Sequence, residues 1–341
     1  MTRTVTVRRL ATATAYGGGS VALGGAALVA LLREEARAAR RNIESRTTKG
    51  DPPSGDGIYG QTARNGRGRP IVFTVLGDSS AVGLGVTRAA ETPGVLIAAA
   101  LAELAERPVR LVRLAKSGAR SPDLDDQVEK ALAEEPDVAL IMIGANDVTS
   151  RARPDVSVRY LADAVRRLTE AGCEVVVGTC PDLGTIRPIA QPLRTLARRW
   201  SRQMAAAQTV AVVEAGGRTV SLGSVLGPAF ASDRAMFSVD EFHPSAHGYA
   251  QAAAVLLPSV ADAVGAWPAS ADRGVRPIRR GTVRPIEKAA ARAASRTGTE
   301  VQPAEVRGSD TGPWGAWALL RRRRPPEIPT PAQAEESAEH R

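Results

Sequence analysis

Cysteine is nearly absent from this 341-residue chain, with only Cys173 and Cys180. That excludes a disulfide-built scaffold and a cysteine-rich zinc module. Nor do the two suit each other as partners. They flank a run that reads as one strand, and at about 3.3 Å per residue their α-carbons stand roughly 23 Å apart, beyond the roughly 7 Å that a disulfide spans. Cysteine usage therefore does not identify the compartment. Histidine is equally scarce: His243, His247 and His340 leave little room for a histidine-rich metal site. Aromatic residues are 4% of the chain. Lysine is rare too, 4 against 41 arginines, a mark of GC-rich codons rather than of function.

What is present suits a soluble globule: 43% hydrophobic and 24% charged residues. The length allows one core of about 200 residues with sizeable tails. The net charge of +9 is unevenly spread: residues 1–69 carry +7, residues 70–267 carry −3 and residues 268–341 carry +5. Basic tails beside a mildly acidic centre suggest contact with anionic surfaces such as lipid headgroups. A nucleic-acid reader would carry its basic stripe on the folded domain, so no nucleic-acid partner is expected.

Leu10–Leu32 holds no charged residue in 23 positions. As a helix at about 1.5 Å per residue it would span roughly 34 Å, enough to cross a bilayer. Arg3, Arg8 and Arg9 precede it, as in an export signal. An uncleaved membrane anchor fits better than a signal peptide cut at Ala36-Arg37-Ala38, because Arg33, Glu34 and Glu35 intervene. A buried helix is disfavoured by Gly17-Gly18-Gly19. Arginines lie on both sides of the span, so the exported side is undetermined. The expected organisation is an anchor or signal segment over 1–46, a Gly-, Pro- and Arg-rich linker over 47–69, a folded domain over 70–267 and a disordered Arg-, Ala- and Pro-rich tail over 268–341. Within the tail, Trp314, Trp317 and Arg321–Arg324 read either as a membrane-surface contact or as an incidental patch.

Between Pro70 and Trp267 apolar runs alternate with helical spacing. Strands are expected at Ile71–Leu76, Val109–Leu114, Val138–Ile143, Glu174–Val177 and Arg218–Leu222. Helices are expected at Pro93–Arg107, Pro122–Glu134, Asp155–Glu170, Pro192–Glu214 and Ser245–Gly265. Such alternation, with near-continuous apolar strands, is the pattern of a parallel sheet covered by helices on both faces. Chemistry in such sheets lies beyond the carboxyl ends of the strands.

After the first strand comes Gly77-Asp78-Ser79-Ser80. A serine on this turn is presented at the sheet edge as a nucleophile, with its own N–H facing an incoming oxyanion. An ordinary loop with an N-cap serine would look the same. The glycines form neither a Walker phosphate loop nor a dinucleotide fingerprint. After the second strand, Gly118 lets the backbone approach a ligand, though a turn glycine would do as much. After the third, Gly144-Ala145-Asn146-Asp147 can aim the Asn146 amide into the same crevice, or make a plain Asx-turn. The last loop is Asp240-Glu241-Phe242-His243-Pro244, where a turn brings the Asp240 carboxylate to one imidazole nitrogen and leaves the other to accept a proton. His247, four residues on, reads as structural.

Taken together, Ser79, Gly118, Asn146, Asp240 and His243 follow successive strands in chain order. In this the sequence resembles the SGNH-hydrolase superfamily, the GDSL-type esterases and lipases, over about Pro70–Trp267. It departs from the family's pattern where Lys116-Ser117 precede Gly118 and where Ser80 replaces a leucine. The resemblance implies a flavodoxin-like three-layer α/β/α sandwich on a five-stranded parallel sheet, with no metal and no cofactor. It implies a serine hydrolase of small-molecule or lipid esters, with Ser79 as nucleophile, His243 as base and Asp240 orienting it. The Ser79 N–H, the Gly118 N–H and the Asn146 side chain would bind the oxyanion. Leu226, Phe230, Met236 and Phe237 are offered as acyl-pocket residues. An acyltransferase would need the same set, and a non-catalytic binding protein with basic tails would need none of it.

Overall fold

A computed structural model describes residues 27–47, 49–60, 69–266 and 300–301. Helix α1 covers residues 27–46, and a short strand β1 (Gly57–Tyr59) follows. The alternating core then runs β2 (Ile71–Gly77), α2 (Ser79–Val82), α3 (Pro93–Ala105), β3 (Val109–Arg113), α4 (Leu124–Ala133), β4 (Val138–Met142), α5 (Ala145–Thr149), α6 (Pro154–Glu170), β5 (Glu174–Gly178), α7 (Leu193–Glu214), β6 (Arg218–Val220), α8 (Leu222–Val225), α9 (Gly227–Ser232) and α10 (Ala246–Ala263). A two-residue strand β7 (Glu300–Val301) is the last element described.

The sheet order is β1-β3-β2-β4-β5-β6-β7. The five strands expected from sequence, β2 to β6, are all parallel. Two short antiparallel strands extend the sheet, β1 beside β3 and β7 beside β6. Side chains alternate along each strand and so feed two cores. Val138, Leu140 and Met142 face α3 and α10, whereas Ala139, Ile141 and Ile143 face α4 and α6. The result is the expected three-layer α/β/α sandwich. β2, buried over its whole length between β3 and β4, aims its carboxyl end at the crevice. At that end Gly77 has φ +131°, and a Cβ there would sit 1.9 Å from the Met142 carbonyl oxygen. The Gln127 side chain grips the same glycine, accepting from its N–H at 2.7 Å and donating to its carbonyl at 3.0 Å. Gly77→Ala therefore forces β2 and β4 apart. We expect a loss of at least about 3 kcal/mol, read as the shift in a urea unfolding midpoint; a loss below 1 kcal/mol would contradict this packing.

The segment read as an anchor is only partly in view. Residues 27–32, the end of the uncharged run, lie in α1, which continues through a charged stretch to residue 46. No helix among the described residues is long and apolar enough to cross a membrane; residues 10–26 lie outside the described residues, as does the Trp314–Arg324 island. α1 instead packs on the domain. Leu32, Ala36 and the buried Ala39 join a core with Leu193 and Ala197 of α7, and the Glu35 carboxylate accepts from the Leu193 N–H at 3.1 Å. The stretch expected as linker contains β1, paired to β3 through Gly57–Tyr59. A three-residue edge strand that is largely exposed leaves no hydrophobic run to read. The expected disordered tail lies outside the described residues apart from Glu300–Val301.

Candidate active site

Ser79 opens α2 directly after β2. Asp78 is the N-cap, and its buried carboxylate accepts from the Ser80 N–H at 2.9 Å and the Ser80 hydroxyl at 2.6 Å. This turn lifts Ser79 to the sheet edge while Ser80 points back into the cap. Burial pushes the Asp78 carboxyl up despite the two Ser80 donors.

The last loop closes over Ser79. Phe237 and Pro244 form an antiparallel bridge, the Ser238 N–H donates to the His243 carbonyl at 2.8 Å, and Glu241 adopts φ +55° at the tip. His243 Nε2 stands 3.0 Å from Ser79 Oγ. On the other side of the ring, Nδ1 is 2.7 Å from Asp240 Oδ2. The second oxygen of Asp240, Oδ1, accepts from the Ser238 hydroxyl at 2.7 Å and from the N–H groups of Phe242 and His243, both at 2.9 Å. Asp240 is 1% exposed. Burial pushes its carboxyl up, but the His243 ring and the two backbone donors outweigh that and hold it well below the usual carboxylate range. An ionised carboxylate only accepts, so Nδ1 carries the proton and Nε2 offers its lone pair to Ser79. Because the folded carboxyl titrates low, the stability this site adds is complete above about pH 4 and is lost as the pH falls toward the folded value.

Gly118 and Asn146 lie beyond β3 and β4 on the same side. Gly118 has φ +81°, with open space where a Cβ would be. The N–H groups of Ser79 and Gly118 have no acceptor among the described residues. One N–H of the Asn146 amide donates to the Ala119 carbonyl at 3.0 Å, leaving the other for a ligand. The adjacent Asp147, fully buried, accepts from the Ser121 N–H and hydroxyl at 3.2 and 3.0 Å and from the Ser157 hydroxyl at 2.8 Å. Asn146 and Asp147 thus tie the Gly118 loop to the end of β4. Of the five site residues singled out in the sequence, Ser79, His243 and Asp240 are joined by hydrogen bonds, and Asn146 is bonded to the loop of Gly118, beyond the strands that neighbour β2.

An apolar pocket opens beside Ser79 and His243, walled by Ile143, Leu183, Leu226, Phe230, Phe237 and Phe242, among others. Phe230 and Phe237 meet edge to face at 4.8 Å. Of the four pocket residues expected, Leu226, Phe230 and Phe237 line it. Met236 does not: it is turned into the core at 1% exposure. His247 is exposed, away from the chain of hydrogen bonds. Cys173 and Cys180 are both free and buried. Among the described residues no group of three or more His, Cys, Asp or Glu side chains could hold a metal ion. Sequence reasoning missed Thr47, whose hydroxyl reaches Asp240 Oδ2 at 3.0 Å, and Tyr249, whose hydroxyl donates to the Leu84 carbonyl at 2.7 Å and fastens α10 beneath the site. Neither lies in a motif; only the fold brings them close.

A model of the GDSL-like lipase/acylhydrolase family matches residues 75–251. A GDSL-like esterase of Mycobacterium tuberculosis is 46% identical over 222 residues, which cover 62% of this chain and 71% of that protein. Among solved structures, TesA is similar at 20% identity and a TM-score of 0.45, covering 57% of this chain and 98% of its own. An acetyl-xylooligosaccharide esterase of Geobacillus stearothermophilus is similar at 20% identity and a TM-score of 0.43, covering 57% of this chain and 94% of its own. With a family pattern that takes in both Ser79 and His243 and spans half of its length, the chain belongs to the GDSL-like lipase/acylhydrolase family of carboxylic-ester hydrolases.

Proposed function

We propose that the protein hydrolyses esters of apolar acyl groups through an acyl-enzyme on Ser79. The observation that carries this reading is the unbroken chain Ser79–His243–Asp240, at 3.0 and 2.7 Å, at the mouth of an apolar pocket. Ser79 Oγ attacks the ester carbonyl as His243 Nε2 takes its proton, and Asp240 stabilises the imidazolium. The carbonyl oxygen, now negative, is met by the Ser79 N–H, the Gly118 N–H and the free N–H of Asn146. The C–O bond breaks as His243 returns the proton to the leaving alcohol. Water, deprotonated by His243, then attacks the acyl-serine and releases the acid, and Ser79 recovers its proton.

The pocket walls favour an acyl chain over a polar one. Each methylene buried is worth about 0.8 kcal/mol, so kcat/KM for p-nitrophenyl esters should rise about fourfold per methylene until the pocket is full. Stopped assays from acetate to octanoate measure this. A maximum at acetate, falling with every added carbon, would overturn the assignment of this pocket to the acyl group.

A further inference from the structure

We infer that Thr47, contributed by the segment that precedes the α/β domain, is a positioning residue for the catalytic carboxylate. The inference rests on the reading of Asp240 and His243 given above.

Thr47 directly follows α1. Its hydroxyl oxygen lies 2.8 Å from the Ile43 carbonyl and 3.0 Å from Asp240 Oδ2. A hydroxyl has one proton to give. The Ile43 carbonyl already receives the Thr47 N–H at 2.9 Å, whereas Asp240 Oδ2 is a buried, charged oxygen whose other partner is the His243 ring. A bond to an ionised acceptor is roughly twice as strong as one between neutral groups, so the proton goes to Asp240.

This donor differs from the others on Asp240. Ser238, Phe242 and His243 lie within three residues of it and would move with the loop. Thr47 is 193 residues away in sequence. It fixes the rotation of the carboxylate against a separate part of the fold, and with it the line from Oδ2 through the imidazole to Ser79. α1 delivers the hydroxyl already oriented: Ala39 is buried against the α7 cluster, Glu35 holds the Leu193 N–H, and Arg46 pairs with Glu241 at 3.2 Å. The last of these is exposed on both sides and contributes little. Thr47 is not among the residues that wall the pocket, so its effect belongs in turnover rather than binding.

The test uses the full-length chain with p-nitrophenyl butyrate. Thr47→Val keeps the shape and removes the donor. Its kcat should fall about tenfold, the scale of one hydrogen bond to a charged group, with KM within twofold. Thr47→Ser, which keeps a hydroxyl, should restore most of the rate. In an Asp240→Asn background, where an amide N–H₂ replaces the acceptor, Thr47→Val should cost nothing further, because the two residues act as one unit. Full activity in Thr47→Val beside a crippled Asp240→Asn would overturn this inference alone. A loss that multiplies in the double variant, with a matching drop in Tm, would also overturn it, since Thr47 would then serve only folding. Wild-type activity in Asp240→Asn would instead overturn the reading of the site itself.

Discussion

Ser79→Ala should lower ester hydrolysis by about 10⁴–10⁶-fold while leaving the fold intact. The proposed nucleophile opens a four-residue helix, and its hydroxyl's partner is His243 Nε2, so removing it should break the reaction without unsettling the core. The neighbouring Ser80 offers no replacement, because its hydroxyl is committed to Asp78 at 2.6 Å. A fluorophosphonate should label one peptide, the one containing Ser79, in the wild type and none in the variant. Labelling on Ser80, or full activity in Ser79→Ala, would overturn the assignment.

Asp240→Asn should cost about 10⁴-fold in kcat, for a reason visible in the donors around it. Three donors point at Oδ1. An asparagine would keep its oxygen there and turn its N–H₂ toward His243 Nδ1. That leaves the ring proton on Nε2, where it faces Ser79 and blocks proton abstraction. Asn146→Ala should behave differently. In the proposed mechanism it removes one donor to a charge that exists only in the transition state, which should cost about 10²–10³-fold in kcat with little change in KM. Its activity–pH curve should keep its midpoint, while that of Asp240→Asn should be displaced. Steady-state kinetics of both variants across pH 5–10 separate the two roles. Equal, mild losses with superimposable pH curves would mean that both loops are structural.

The five parallel strands were legible because they are short runs rich in apolar residues, β2 and β4 buried throughout, set between segments of helical spacing. The candidate site was suggested by residues that stand at strand ends in a fixed order, and three of them, Ser79, His243 and Asp240, are joined by hydrogen bonds. The edges were not. β1 is three residues of Gly-Ile-Tyr whose pairing depends on β3, fifty residues later, and nothing local marks it. The uncharged run ending at Leu32 was a sound reason to expect a membrane span, yet its last turns belong to a helix with an amphipathic role. Leu32, Ala36 and Ala39 recur every three or four residues and meet α7, a pattern that the stronger signal of the apolar run conceals. Thr47 was invisible because a threonine after a helix has no spacing relation to an aspartate at 240. Met236 was misplaced because a loop's hydrophobic residues divide between pocket and core by backbone geometry that composition does not encode.

The docking of α1 also sets an order of events during synthesis. Glu35 and Leu193 are separated by 158 residues, and Thr47 and Asp240 by 193. At about 5–20 residues per second, the ribosome needs roughly 10–40 s after making Thr47 to make its acceptor. For most of that interval the apolar stripe of α1 has no landing surface, because α7 is complete only at Glu214 and the last loop is made later still. Contacts of such long sequence separation form late and slow the search for the native state. The nascent chain therefore carries an uncovered helix face while residues 48–214 are made, and Thr47 can meet Asp240 only once the last loop of the domain has left the ribosome.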